Sequence, residues 1–137
     1  MEKLDRRSAL GLGAFAVASI VALPRRASAA MYGSDAGAEI KPGIRLVELG
    51  KRDSMISAYK EIAMLDLIFA PGAVYPEEAM AHDMVCQCVE GELQIKQGAM
   101  EFSVKPGDIY SCGKGTTEQA TNAGSEAAIM RVIEMHA

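Results

Sequence analysis

Tryptophan is missing from this chain of 137 residues, and aromatic residues of all kinds make up only 5% of it. A core without large rings must be filled by aliphatic side chains and methionine. Eight of the 9 methionines fall after residue 30, and methionine is a flexible filler of irregular interiors. Positive charge is scarce as well. Residues 30–137 carry 9 Lys and Arg against 16 Asp and Glu, a net charge of −7. Nucleic acid and anionic lipid are polyanions, so this surface speaks against both as partners. Long apolar runs are also lacking: the charge-free stretch at residues 9–23 holds about 15 residues, short of the roughly 20 that a membrane span needs. Histidine occurs only at His82 and His136. What is plentiful is hydrophobic content, half of the chain, which suits one globular domain at this length.

The N-terminus reads as a targeting segment. Residues 1–29 have a basic start (Lys3, Arg6, Arg7), an apolar middle at residues 9–23, and the small residues Ala27-Ser28-Ala29 of an A-x-A cleavage site. Cleavage is expected after Ala29. Arg6-Arg7 followed by Ser8-Ala9-Leu10 resembles the twin-arginine pattern R-R-x-F-L with Ala in place of Phe. The Gly- and Ala-rich middle is only mildly hydrophobic, and Arg25-Arg26 stand just before the cleavage site. An ordinary secretory signal and an uncleaved anchor are the alternatives. The expectation is a bacterial periplasmic or secreted protein, exported already folded by the twin-arginine route, with no membrane partner in its mature form. Any cofactor could then be loaded before export.

After a small, polar, flexible lead-in at residues 30–43, the chain alternates short apolar-rich segments with Gly, Pro, Asn and Asp turns. Strands are expected at residues 44–49, 55–59, 63–70, 74–80, 84–89, 93–96, 100–104, 109–112, 116–122 and 127–135, with a charged turn at residues 50–53. Met100, Phe102 and Val104 alternate with Glu101 and Ser103, the mark of a half-buried strand. No segment after residue 30 has a helical pattern. The sequence therefore predicts an all-β antiparallel sandwich or barrel over residues 44–137.

Within it, residues 72–122 resemble the cupin family. Gly72 and Gly91 have the separation of the two glycines in cupin motif one. Gly107, Gly115 and Asn122 match motif two, with Gly113 in place of a proline. The strings Val89-Glu90-Gly91-Glu92 and Pro106-Gly107-Asp108 are typical of the family. The resemblance covers about half of the mature domain and implies an antiparallel jelly-roll β-barrel with a mouth at one end. It also implies a homodimer, across which the strand at residues 44–49 could pair. At the family's metal-ligand positions, however, this chain has Glu78 and Met80 for two histidines, Met84 for the glutamate, and Glu118 for the third histidine. With two histidines in all, the usual three-His, one-Glu site cannot form.

For residues 78 and 84 to face one point, the chain must turn between them, because six residues of straight strand span roughly 20 Å. Ala81, His82 and Asp83 are expected to form that turn at the mouth. Beyond it, alternation sends Met84, Cys86 and Cys88 to one face. Cys86 and Cys88 are poorly spaced for a mutual disulfide; Cys112 could pair with Cys86, or all three stay buried thiols.

Three chemistries are open to the mouth residues. Glu78, His82 and Glu118 could hold Mn, Fe or Zn. Met80, His82 and Met84, with Cys86 as an optional further ligand, form a softer set suited to copper. Without a metal, Glu78 or Glu118 could serve as a catalytic general acid or base towards a small molecule. Each residue also has a purely structural role open to it: the methionines as cavity plugs, Glu78 and Glu118 as solvated positions, His82 as a surface turn residue. The reading is an exported cupin-like protein binding a metal ion or small molecule at a divergent barrel mouth. A metal-dependent oxygenase or isomerase, and a non-catalytic accessory or sensing protein with a metal-free barrel, are its alternatives.

Overall fold

The computed structural model describes residues 31–137, so the export signal expected at residues 1–29 lies outside the described residues. Ten strands follow in order: β1 (Ala38–Lys41), β2 (Ile44–Asp53), β3 (Glu61–Phe69), β4 (Val74–Ala79), β5 (Asp83–Glu90), β6 (Leu93–Gln97), β7 (Met100–Val104), β8 (Ile109–Cys112), β9 (Thr117–Thr121) and β10 (Ala128–His136). Every pairing is antiparallel. A six-stranded sheet runs β1-β2-β3-β10-β5-β8, and a four-stranded sheet runs β4-β9-β6-β7. The two sheets enclose one core in a jelly-roll barrel, the expected fold class.

Alternation decides what lies inside. On β5, Cys86 and Cys88 are fully buried, whereas Val85, just before them, is exposed. Ile44, Phe69, Leu93 and Ile95 meet the two cysteines in the interior, and Tyr75, Phe102 and Tyr110 pack against them half-buried, so aliphatic residues fill most of the centre. Pro76 is tolerated in β4 because β4 is an edge strand; the pairing with β9 is irregular between Tyr75 and Glu78. Gly91 turns the chain from one sheet to the other at φ 73°. A Cβ there would come within 2.7 Å of the Ala128 Cβ.

Asn122 is the clasp between the sheets. Its buried Nδ2 donates to the carbonyls of Phe69 (3.1 Å), Ala70 (3.2 Å) and Glu126 (2.8 Å), and its Oδ1 accepts from Gly124 N–H at 3.0 Å.

Four expectations are corrected. The lead-in at residues 30–43 is partly built into the sheet: β1 pairs with β2, and the Tyr32 hydroxyl donates to the buried Asp66 carboxylate at 2.6 Å. Arg131 holds the same carboxylate with two 2.9 Å hydrogen bonds. The charged residues 50–53 are strand, not turn, because a bulge between Glu48 and Gly50 keeps β2 in register with β3 as far as Asp53 and Glu61. Residues 55–59, expected as a strand, are instead the turn that joins them: Tyr59 N–H donates to Ile56 O, and Ser54 N–H to Lys60 O. Finally, residues 44–46 are already flanked by β1 and β3, which leaves only residues 47–49 of the expected dimer strand with an edge free of β1.

Candidate functional site

The chain between β4 and β5 closes one end of the barrel. Met80 N–H donates to Thr116 O at 2.9 Å, and Gly115 N–H donates to Met80 O at 2.8 Å. Ala81 and His82 bend, and Asp83 starts β5. Asp83 pins the bend: it accepts from the Tyr59 hydroxyl at 2.6 Å and from Lys114 N–H at 2.8 Å. Those bonds, Tyr59's foremost, hold its carboxyl below the ordinary value.

Behind this turn lies a cavity of about 190 Å³. Its floor is apolar, with Leu46, Leu65, Leu67, Phe69, Met130 and Val132; its upper wall carries Glu78, Met80, His82, Met84, Glu118 and Glu134. Register explains why Glu78 and Glu118 share this wall, for they are direct partners on β4 and β9. Their surroundings differ. Glu78 is exposed, accepts from the Tyr75 hydroxyl at 2.8 Å and lies 3.6 Å from Lys41 Nζ. Burial, reinforced by that hydrogen bond, pushes the Tyr75 hydroxyl up to about 12. Glu118 is only 6% exposed. Its Oε1 accepts from Gln97 Nε2 at 2.9 Å. Burial raises its pKa, against the opposing effect of the Gln97 hydrogen bond. A carboxyl so placed keeps its proton to higher pH than an exposed one, and when protonated it can donate as well as accept.

The five residues singled out from sequence, Glu78, Met80, His82, Met84 and Glu118, thus line one cavity. The donor atoms do not converge as a single set. Among the described residues, the group of three His, Cys, Asp or Glu side chains with donor atoms within 4.8 Å of one another is His82, Glu134 and His136; Glu78 and Glu118 stand outside it. The rings of His82 and His136 stack at 3.7 Å, 7° from parallel. Sequence reasoning missed Glu134 and His136. The signal was present: counting by twos from the buried Met130 and Val132 along β10 leads to Glu134 and His136 on the same face.

The three cysteines are free and buried. Burial, then the charge of Glu118, pushes the Cys86 thiol up to about 12, while burial foremost puts Cys88 and Cys112 at about 11. Cys86, the optional ligand of the soft-site expectation, is not among the residues that line the cavity. Tyr110 donates to Met130 Sδ at 3.2 Å, and burial moves its hydroxyl well above the ordinary value.

In sequence, the chain matches no family profile and no curated protein. In structure, it is similar to KdgF from Halomonas, with a TM-score of 0.61 at 16% identity over 73% of this chain and 86% of that one. It is similar to an RmlC-like cupin from Shewanella frigidimarina, with a TM-score of 0.61 at 19% identity over 77% and 88%. The chain has the cupin fold. A third cupin-fold relative, a sugar phosphate isomerase from Silicibacter pomeroyi, gives a TM-score of 0.57 at 20% identity over 70% of this chain and 61% of that one. Identities this low carry the fold alone, and a fold that hosts many chemistries does not choose among them; the cavity's own residues must.

Proposed function

We propose that this is an exported cupin-like protein that binds a compact, neutral or cationic organic molecule in the barrel-mouth cavity, with Glu118 as the polar anchor. The observation that carries the reading is the burial of Glu118 in the wall of a cavity whose floor is apolar. A largely apolar pocket with few convergent polar groups is what small-molecule sites consist of. A cavity of about 190 Å³ is smaller than the roughly 300–1,000 Å³ of sites for drug-sized ligands, so the ligand is small. Three glutamates and one histidine line the cavity, and this balance opposes anionic ligands. A protonated Glu118 donates a hydrogen bond to a neutral ligand; an ionised one pairs with a cation. Either state also lets it pass a proton to or from a ligand atom at hydrogen-bond distance.

The metal that the cupin resemblance implies does not fit its standard positions in this chain. Those positions hold Glu78, Met80, Met84 and Glu118. Tyr75 and Lys41 already engage Glu78, burial favours a proton on Glu118, and two thioethers are poor partners for a hard cation. No step of the proposed activity runs through that metal.

Calorimetry with a matched four-carbon series tests the reading. Butylamine and butanol should bind and butyrate should not, and Ala120→Leu, which fills the cavity, should abolish both. Preference for butyrate would contradict the proposed charge selection. Binding unaffected by Ala120→Leu would contradict the cavity.

Export by the twin-arginine route is part of the same proposal. It rests on Arg6-Arg7 and the segment after them. Arg6→Lys with Arg7→Lys should retain the precursor inside the cell; unchanged export would refute the route. Homodimerisation, also proposed, has support in the exposed Met64 and Val85, which flank Ile133 in one row across the six-stranded sheet. Sedimentation of Val85→Lys, expected to be monomeric, tests it.

A further inference from the structure

We propose that His82, Glu134 and His136 form a site for a borderline divalent cation, Zn²⁺ or Cu²⁺, at the rim of the cavity, with Glu61 orienting His136 from behind. This site uses neither Glu78 nor Glu118 and goes beyond the small-molecule binding proposed above.

The sheet register builds the site. Met84, Glu134 and Ala63 are partners across β5, β10 and β3, and Met84 and Glu134 both face the cavity. Two residues further along β10, on the same face, stands His136, whose partner on β3 is Glu61. On the other side, Met135 pairs with Asp83, so the preceding His82 comes level with His136, and their rings stack. Period-two alternation therefore ends the inward face of three neighbouring strands in a row of Glu61, His136 and His82, one rung above Glu134.

His136 lies between two carboxylates. Its Nε2 is 2.9 Å from Glu134 Oε2, and its Nδ1 is 3.4 Å from Glu61 Oε1. A neutral imidazole has one N–H and can serve only one of them. A cation at Nε2 satisfies both: Glu134 becomes a ligand beside Nε2, and Nδ1–H donates to Glu61. A carboxylate behind a ligating histidine is the usual way such a ring is oriented. Lys51 Nζ, 3.1 Å from Glu61 Oε1, holds that carboxylate in turn. Two imidazoles and a carboxylate match the preferences of zinc and copper, and three protein ligands leave a position open towards the cavity.

The stack sets a condition on loading. In-plane lone pairs of parallel rings cannot meet at one ion about 2.0–2.1 Å from each nitrogen. One ring must tilt, so binding breaks the His82–His136 stack. The rival occupant is a proton shared among His136, Glu134 and Glu61.

The test is titration of the full, chelator-treated chain with Zn²⁺ against a chromophoric competitor. One Zn²⁺ per chain is expected. His82→Gln and His136→Gln should each weaken it at least about tenfold, and Glu61→Gln about tenfold through lost orientation. Glu118→Gln should leave it unchanged, which separates this site from the small-molecule reading. Should a histidine variant fail to fold, the Cu²⁺-loaded wild-type chain still decides: its paramagnetic resonance spectrum should show coupling to two nitrogens. Zn²⁺ affinity equal in the wild type and the His82→Gln/His136→Gln double variant would overturn the proposal. So would a Cu²⁺ spectrum with fewer than two nitrogens.

Discussion

Glu78 and Glu118 sit directly opposite each other on β4 and β9, yet one is exposed beside a lysine and the other is buried beside an amide. The asymmetry gives one strand pair two different carboxyls. Lys41 and Tyr75 answer Glu78 from the rim, while Glu118 has Gln97 and the apolar floor.

Glu118 should make stability depend on pH in an unusual direction. Burial raises its folded-state pKa. As pH rises through the unfolded-state value, the unfolded chain loses its proton first and the native state binds more protons, so stability falls until the native pKa is passed. Glu118→Gln removes this effect. The melting temperature of the variant minus that of the wild type should therefore grow as pH rises through the range above the ordinary Glu value of about 4. A difference that stays constant across this range would contradict it.

The thiols should be silent in the native protein. Burial places Cys86 at about 12 and Cys88 and Cys112 at about 11, and thiolate is the reactive form. A disulfide-exchange reagent at neutral pH should label none of them natively and all three after denaturation. Rapid native labelling of any one would contradict the burial described.

The two motif-one glycines should differ in cost. Gly72 has φ 78° and open space where a Cβ would stand, whereas Gly91 has φ 73° and the Ala128 backbone and Cβ at 2.7–2.8 Å from that position. Gly72→Ala should cost about 1–2 kcal/mol of strain. Gly91→Ala adds overpacking and should cost about 3–4 kcal/mol. Equal denaturation midpoints for the two variants would remove the packing difference.

Asn122→Ala should cost about 3 kcal/mol in denaturant unfolding, because it removes the buried hydrogen bond to the Phe69 carbonyl and the half-buried ones to Ala70 and Glu126 together with the Gly124 N–H contact. A loss below about 1 kcal/mol would mean that the clasp between the sheets lies elsewhere.

The barrel was legible because its signals are local. Alternation at Met100, Phe102 and Val104, and the turn glycines, each act within a few residues. The mouth turn could be read too, since Glu78 and Met84 cannot face one cavity without it. What escaped depended on contacts distant in sequence. Tyr32 is ordered by Asp66, 34 residues away, so the lead-in looked loose by composition. His136 gains meaning only from His82 and Glu61, which the pairing of β10 with both neighbours brings beside it. The extent of β2 turned on a bulge at Glu48–Gly50 that has no distinct sequence mark.

Protonation of Glu118 in the cavity is the property on which small-molecule binding most directly depends, and a carbon-13 NMR titration of its side-chain carboxyl measures it. The midpoint should lie above the ordinary glutamate value in the free protein and fall when butylamine is present, because a cation seated beside the carboxyl favours its charged form. An ordinary midpoint, or one that saturating butylamine leaves in place, would contradict Glu118 as the anchor.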